Sequence, residues 1–171
     1  PVRRAAHATR ALLDELGLAS FVMTTGSSGL HVVVPLVPGT ADFDAARAFA
    51  RDAATVLARR HPDALTVEQR KDRRTGRVFL DYLRNTYAHT AVPPYAVRAL
   101  PGAPVATPLA WDELDRADLH ARRYTVANLF DRLARTDDPW AGLERHAQSL
   151  GPARRRHDAL LAADDGAPAA P

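Results

Sequence analysis

The 171-residue sequence contains no cysteine, one lysine and one methionine. Without cysteine there are no disulfides, thiolate metal sites or cysteine nucleophiles, and the composition suits a reducing compartment. Its longest largely apolar run, Leu30 to Val37, falls far short of the roughly 20 residues that cross a bilayer, and no signal peptide opens the chain. The seven histidines show no ligand spacing and no nucleophile elbow is present, which argues against a metal hydrolase or a serine hydrolase. The first residue is proline rather than methionine, so a natural start further upstream is expected.

What is present is enough apolar material, 46% of residues, for one domain with a real core. The formal net charge is only +3, but the cations are uneven. Arg59, Arg60, Arg70, Lys71, Arg73, Arg74 and Arg77 face only Asp63, Glu68 and Asp72. Such a stretch can meet phosphates, for which arginine is well shaped. It can equally be a solvated loop, and both readings stand open.

Helical spacing of Val2, Ala5, Ala6, Thr9, Leu12, Leu13 and Leu16 predicts an amphipathic helix that stops at Gly17. Ser20 to Thr25 and Leu30 to Leu36 read as strands joined by the Gly26-Ser27-Ser28-Gly29 loop. Phe43 to Arg60 returns to helical period. Asp42 is its expected N-cap and Asp44 its first-turn acid, so Asp42-Phe43-Asp44 has little weight as a metal motif. Arg77 to Leu83 and Tyr95 to Leu100 predict two further strands, giving a sheet of at least four. Helices are expected at Trp111 to Leu114, Val126 to Ala134 and Trp140 to Leu150. After Pro152 a frayed helix should run into a flexible tail, dividing the chain into a domain over 1–150 and an extension over 151–171. The expected class is α+β, a mixed or antiparallel sheet flanked by helices with a helical C-terminal extension.

Two residues stand out chemically. Period two sets His31 on the opposite strand face from Leu30, Val32 and Val34, directly after a loop whose glycines allow backbone amides close to an anion. Asp81 falls inside an apolar strand pattern, and a buried carboxylate needs a cation or donors. A metal ion and a pair with Arg84 or Arg98 are equally open explanations.

Four ordered motifs resemble the polymerase domain of bacterial DNA ligase D, a member of the archaeo-eukaryotic primase superfamily. They are Thr24-Thr25-Gly26-Ser27-Ser28-Gly29-Leu30-His31, Gly76 through Asn85 (GRVFLDYLRN), Pro94-Tyr95-Ala96-Val97-Arg98-Ala99 and Thr107 through Leu114 (TPLAWDEL); Asp138 through Gly142 (DPWAG) agrees as well. The resemblance implies nucleotidyl transfer in non-homologous end joining: a primer 3′-hydroxyl attacks the α-phosphate of a nucleoside triphosphate with two divalent ions, manganese or magnesium, held by carboxylates. It also implies that Asp81 is a metal-binding and catalytic carboxylate, that His31 contacts the triphosphate, and that Thr25, Ser27 and Ser28 cradle it. Arg84 and Arg98 would be the basic residues around the nucleotide. Arg70, Lys71, Arg73 and Arg74 are the candidate DNA contacts. The implied partners are DNA ends, a primer-template with a 5′-phosphate, together with a Ku-type end-binding protein and ligase or nuclease domains, in a cytoplasmic, nucleoid-associated setting.

Three departures accompany the resemblance. The family's first motif, two aspartates separated by one residue, has no counterpart. Met23 and Ser28 stand where the family often has cations. Tyr87-Ala88 replaces the more usual pair in the turn after the Asp81 strand. These departures predict that the 171 residues alone add few or no nucleotides. They also keep open a rival reading, a non-catalytic module that binds DNA ends or a partner through the basic stretch.

Overall fold

The computed structural model describes residues 1–166; the expected tail at 167–171 lies outside the described residues. Helix α1 spans Val2–Glu15, with Ala5, Ala6, Leu12 and Leu13 buried. It stops as expected, because Gly17 takes φ +71°, a conformation that L side chains adopt only under strain. A hairpin follows, β1 (Phe21–Thr24) against β2 (Leu30–Val33), antiparallel in the register Phe21 with Val33 through Thr24 with Leu30. Helix α2 (Phe43–Arg60) begins where the sequence predicts, and the Asp42 carboxylate accepts from the Ala45 amide at 2.7 Å. Capping of this kind satisfies one of the amides that an N-terminus leaves over.

The second half of the chain departs from expectation. The predicted strand over 77–83 shrinks to β4 (Val78–Phe79), which pairs in parallel with β3 (Leu65–Thr66). The last ladder bond runs from the Leu80 amide to the Thr66 carbonyl, and beyond it the chain turns away. Tyr95 to Leu100 is not a regular strand: Tyr95 has φ +62°, and only Val97 forms a bridge, with Val105. The third strand of the main sheet is instead β5 (Pro108–Leu109), giving the order β2-β1-β5 with antiparallel neighbours. The observed β-structure is thus a three-stranded and a two-stranded sheet, rather than a single sheet of four or more.

Trp111–Asp115 is a short 3₁₀ turn, and the helix expected over 126–134 is only α3 (Leu129–Leu133). The helix expected over 140–150 is replaced by a 3₁₀ turn at Leu143–His146 and an extended Ala147. Tertiary pairing explains the difference, since Gln148 bridges Leu36 and its side chain accepts from the Ala19 amide at 3.1 Å. Helix α4 (Leu150–Gly166) is anchored rather than frayed at its start: Ala153 and His157 are buried, and the Arg156 guanidinium donates to the Leu16 carbonyl at 2.9 Å.

Two apolar clusters meet across α1 and β2. One joins α1, α2, Leu65 and Ala153; the other joins Ala6, Val22, Val105, Leu109, Leu114, Tyr124 and Leu129. Partly buried Val32 packs against both. Its neighbour His31 is thereby turned to the opposite sheet face.

Candidate functional site

An open cleft of about 530 Å³ lies beyond the ends of the β1–β2 hairpin. The hairpin contributes Thr25, Ser27 and His31; the segment after β4 contributes Asp81 and Arg84; the irregular segment after Pro94 contributes Ala96, Val97 and Arg98. Thr90, Ala91 and Val92 complete the wall. Six of the residues singled out from sequence therefore stand together. Ser28 sits at the hairpin tip but not on the cleft wall, and neither do Arg70, Lys71, Arg73 and Arg74.

The Thr25 hydroxyl organises the loop. It donates to the Gly29 carbonyl at 3.0 Å and accepts from the Ser27 and Gly29 amides, each at 3.2 Å. Those two amides are spent, which leaves the Gly26 and Ser28 amides without a protein acceptor among the described residues. Gly26 has φ +64° and packs against the Arg98 side chain and the Val105–Ala106 backbone. Arg122, which sequence reasoning missed, donates its Nε to the Ser27 carbonyl at 3.0 Å. Its link to the loop spans 95 positions, and no local pattern signals it.

Asp81 is exposed, not buried inside a strand. The reason is the early end of β4, after which the Asp81 carboxylate accepts from the Leu83 amide at 3.0 Å and faces Arg84 at 3.8 Å. The expected Asp–Arg partnership exists, but in water-accessible form, where such a pair contributes little to stability. Partial burial holds the His31 imidazole below its usual pKa; the Asp81 carboxylate opposes this, while Arg98 and Arg84 reinforce it. At neutral pH His31 is therefore uncharged in the free protein.

The fit to a metal centre is incomplete. Asp81 is the one carboxylate in the cleft, and among the described residues no three His, Asp or Glu side chains stand close enough to hold an ion. Two hard cations require more oxygen ligands than this.

The basic segment is partly committed. The Arg74 guanidinium donates to the Glu68 and Gln69 carbonyls at 3.0 and 2.8 Å and stacks on Phe79 at 4.0 Å from the ring centre. Arg70 pairs with Asp72 at 3.1 Å. Lys71 and Arg73 lie on an exposed 3₁₀ turn.

Outside the cleft lining, Glu113 and Arg132 form a part-buried pair, with Arg132 Nη2 donating to Glu113 Oε2 at 2.8 Å and to the Pro108 carbonyl at 3.1 Å. The Tyr95 hydroxyl donates to Asp138 at 3.0 Å. Burial, with this bond and the nearby charge of Asp138, pushes its pKa up to about 12, against the opposing charge of Arg132. Trp140 donates to the Val22 carbonyl at 3.0 Å and Trp111 to that of Ser20 at 2.8 Å, so the DPWAG and TPLAWDEL motifs serve to brace β1. No helix among the described residues is long and apolar enough to cross a membrane.

The family model for the LigD primase-polymerase domain matches residues 1–140. The multifunctional non-homologous end joining protein LigD of Pseudomonas aeruginosa is 37% identical over 161 residues, covering 91% of this chain and 19% of that protein. Its counterpart in Mycolicibacterium smegmatis is 37% identical over 142 residues, covering 83% of this chain and 18% of its own. The chain thus spans about a fifth of these relatives. The solved polymerase domain of Mycobacterium tuberculosis ligase D in complex with DNA superimposes with a TM-score of 0.77 at 33% identity, over 85% of this chain and 50% of that one. The cleft's motifs, the matched family model and the shared fold agree: this chain belongs to the LigD primase-polymerase family.

Proposed function

We propose that the chain forms the nucleotide-facing part of a template-directed polymerase that adds nucleotides at DNA ends during non-homologous end joining. The observation that carries this reading is the convergence of Thr25, Ser27, His31, Asp81, Arg84 and Arg98 on one cleft from three separate segments. The cleft lining offers two guanidinium groups and hydroxyl donors, suited to a triphosphate, together with Ala91, Val92, Ala96 and Val97, which suit the less polar parts of a nucleotide.

In this reading Arg84 and Arg98 hold the phosphates, and the Ser27 hydroxyl of the hairpin loop adds a neutral donor. His31, uncharged when free, takes up a proton or donates from one ring nitrogen as the phosphates approach. A divalent ion, manganese or magnesium, would neutralise charge on the transferring group. Asp81 is this chain's share of the ligands, and the remaining carboxylates are proposed to come from a part of the parent protein outside these residues. DNA would be met by Arg70, Lys71 and Arg73, with Arg74 holding that loop in shape. A Ku-type end-binding protein and ligase or nuclease domains are the proposed partners of the parent.

The test is titration of ATP with and without manganese chloride, in the wild type and in Asp81→Ala. Metal-dependent binding that weakens in Asp81→Ala supports the reading. Salt-sensitive DNA binding with no ATP binding would replace it with the non-catalytic module. Primer extension by the chain with and without its upstream segment then tests the transfer step, and activity is expected only in the longer form.

A further inference from the structure

Positive charge at the cleft exceeds what its carboxylate balances. Arg84 faces Asp81, whereas among the described residues neither Arg98 nor Arg122 has an acidic partner. Elsewhere in the fold the nearby arginines are paired: Arg116 and Arg123 share Asp118, and Arg132 takes Glu113. Arg98 lines the cleft, and Arg122, though not itself on the lining, is bonded to the cleft-wall residue Ser27; unmatched guanidinium groups on and next to a concave surface fit an anionic ligand.

Arg122 is placed in an informative way. Its Nε donates to the carbonyl of Ser27, a residue of the cleft wall. One of its five donors is spent there, and the terminal nitrogens have no protein acceptor among the described residues. The fork is held at the loop by one edge and left open on the other. The loop itself carries no charge at Ser27 or Ser28, so the cation reaches it only through the fold.

We infer that Arg122 is a phosphate-binding residue of this cleft, anchored through Ser27 and presenting its terminal nitrogens to the polyphosphate of a bound nucleotide. This rests on the nucleotide reading above. The arrangement supplies from a distant segment the charge that the hairpin tip lacks, and it couples the loop's position to occupancy: a ligand that holds Arg122 also holds Ser27.

Calorimetric titration of the chain with ATP and with adenosine, both in manganese chloride, tests the assignment. In Arg122→Ala, ATP binding is expected to weaken about tenfold, the scale of one lost charge-assisted contact, with adenosine binding unchanged. Adding Ser28→Lys to Arg122→Ala, which returns a cation to the loop tip, is expected to recover most of the loss. Equal ATP binding by the wild type and Arg122→Ala overturns the assignment, as does an equal loss for ATP and adenosine, which would mean that Arg122 only shapes the loop. A wild type that binds no ATP overturns the nucleotide reading itself, and this assignment with it.

Discussion

A methyl group on Gly26 would stand 2.7 Å from Cγ of Arg98 and 3.2 Å from the Ala106 amide nitrogen. The hairpin turn and the cleft arginine are thus packed against each other with no room for a Cβ, and Gly26 is also at φ +64°. Gly26→Ala should destabilise the chain by about 1–3 kcal/mol through the strained backbone and weaken ATP binding several-fold by displacing Arg98. Gly29, which has open space around it, is the control: Gly29→Ala should leave ATP binding within twofold. Thermal unfolding and calorimetry read the two effects separately.

Glu113 and Arg132 tie the Trp111–Asp115 turn to α3 and β5. Burial raises the Glu113 pKa, but the hydrogen bonds and charge of Arg132, with the Ala110 amide, outweigh it and hold the carboxyl below its usual range. A depressed carboxyl contributes stability that is present above its unfolded value and lost as pH falls through the folded one. Glu113→Ala should cost about 1–3 kcal/mol, since it leaves the part-buried Arg132 without its carboxylate, or about 2–12 °C in Tm. Glu113→Gln should make stability less sensitive to acid below about pH 4 than in the wild type.

His31 predicts a pH dependence of opposite origin. Its folded pKa lies below the ordinary value, so the unfolded chain binds the proton first, and stability should fall as pH drops below about 6.5. Bound phosphates favour the protonated ring, so ATP affinity should rise over the same interval as pH falls. His31→Gln should flatten both profiles. A rise in ATP affinity of the same size in His31→Gln would assign the effect to another group.

The basic segment divides into two kinds of residue. Lys71→Ala and Arg73→Ala should each weaken DNA binding and lower the slope of log affinity against log salt by roughly one. Arg74→Ala should chiefly lower thermal stability, because its guanidinium ties the loop to Glu68, Gln69 and Phe79. Filter binding at several salt concentrations, beside thermal unfolding, distinguishes them.

The sequence by itself determined the parts whose signals are local. The heptad-like spacing in α1 with its Gly17 stop, the Asp42 cap of α2, the glycine-serine hairpin and the ordered family motifs are short-range patterns that backbone sterics and side-chain spacing dictate. Tertiary structure decided the rest. Whether Asp81 lies in a strand depends on how far β3 pairs with β4, and that pairing ends at Leu80. The stretch before α4 reads as helix until Gln148 is seen pairing with Leu36 and Ala19. Arg122 reaches Ser27, 95 positions away, only because the intervening chain folds back upon the hairpin. Contacts between residues far apart in the chain leave no periodic trace, and their energies override the weaker local preferences that a sequence displays.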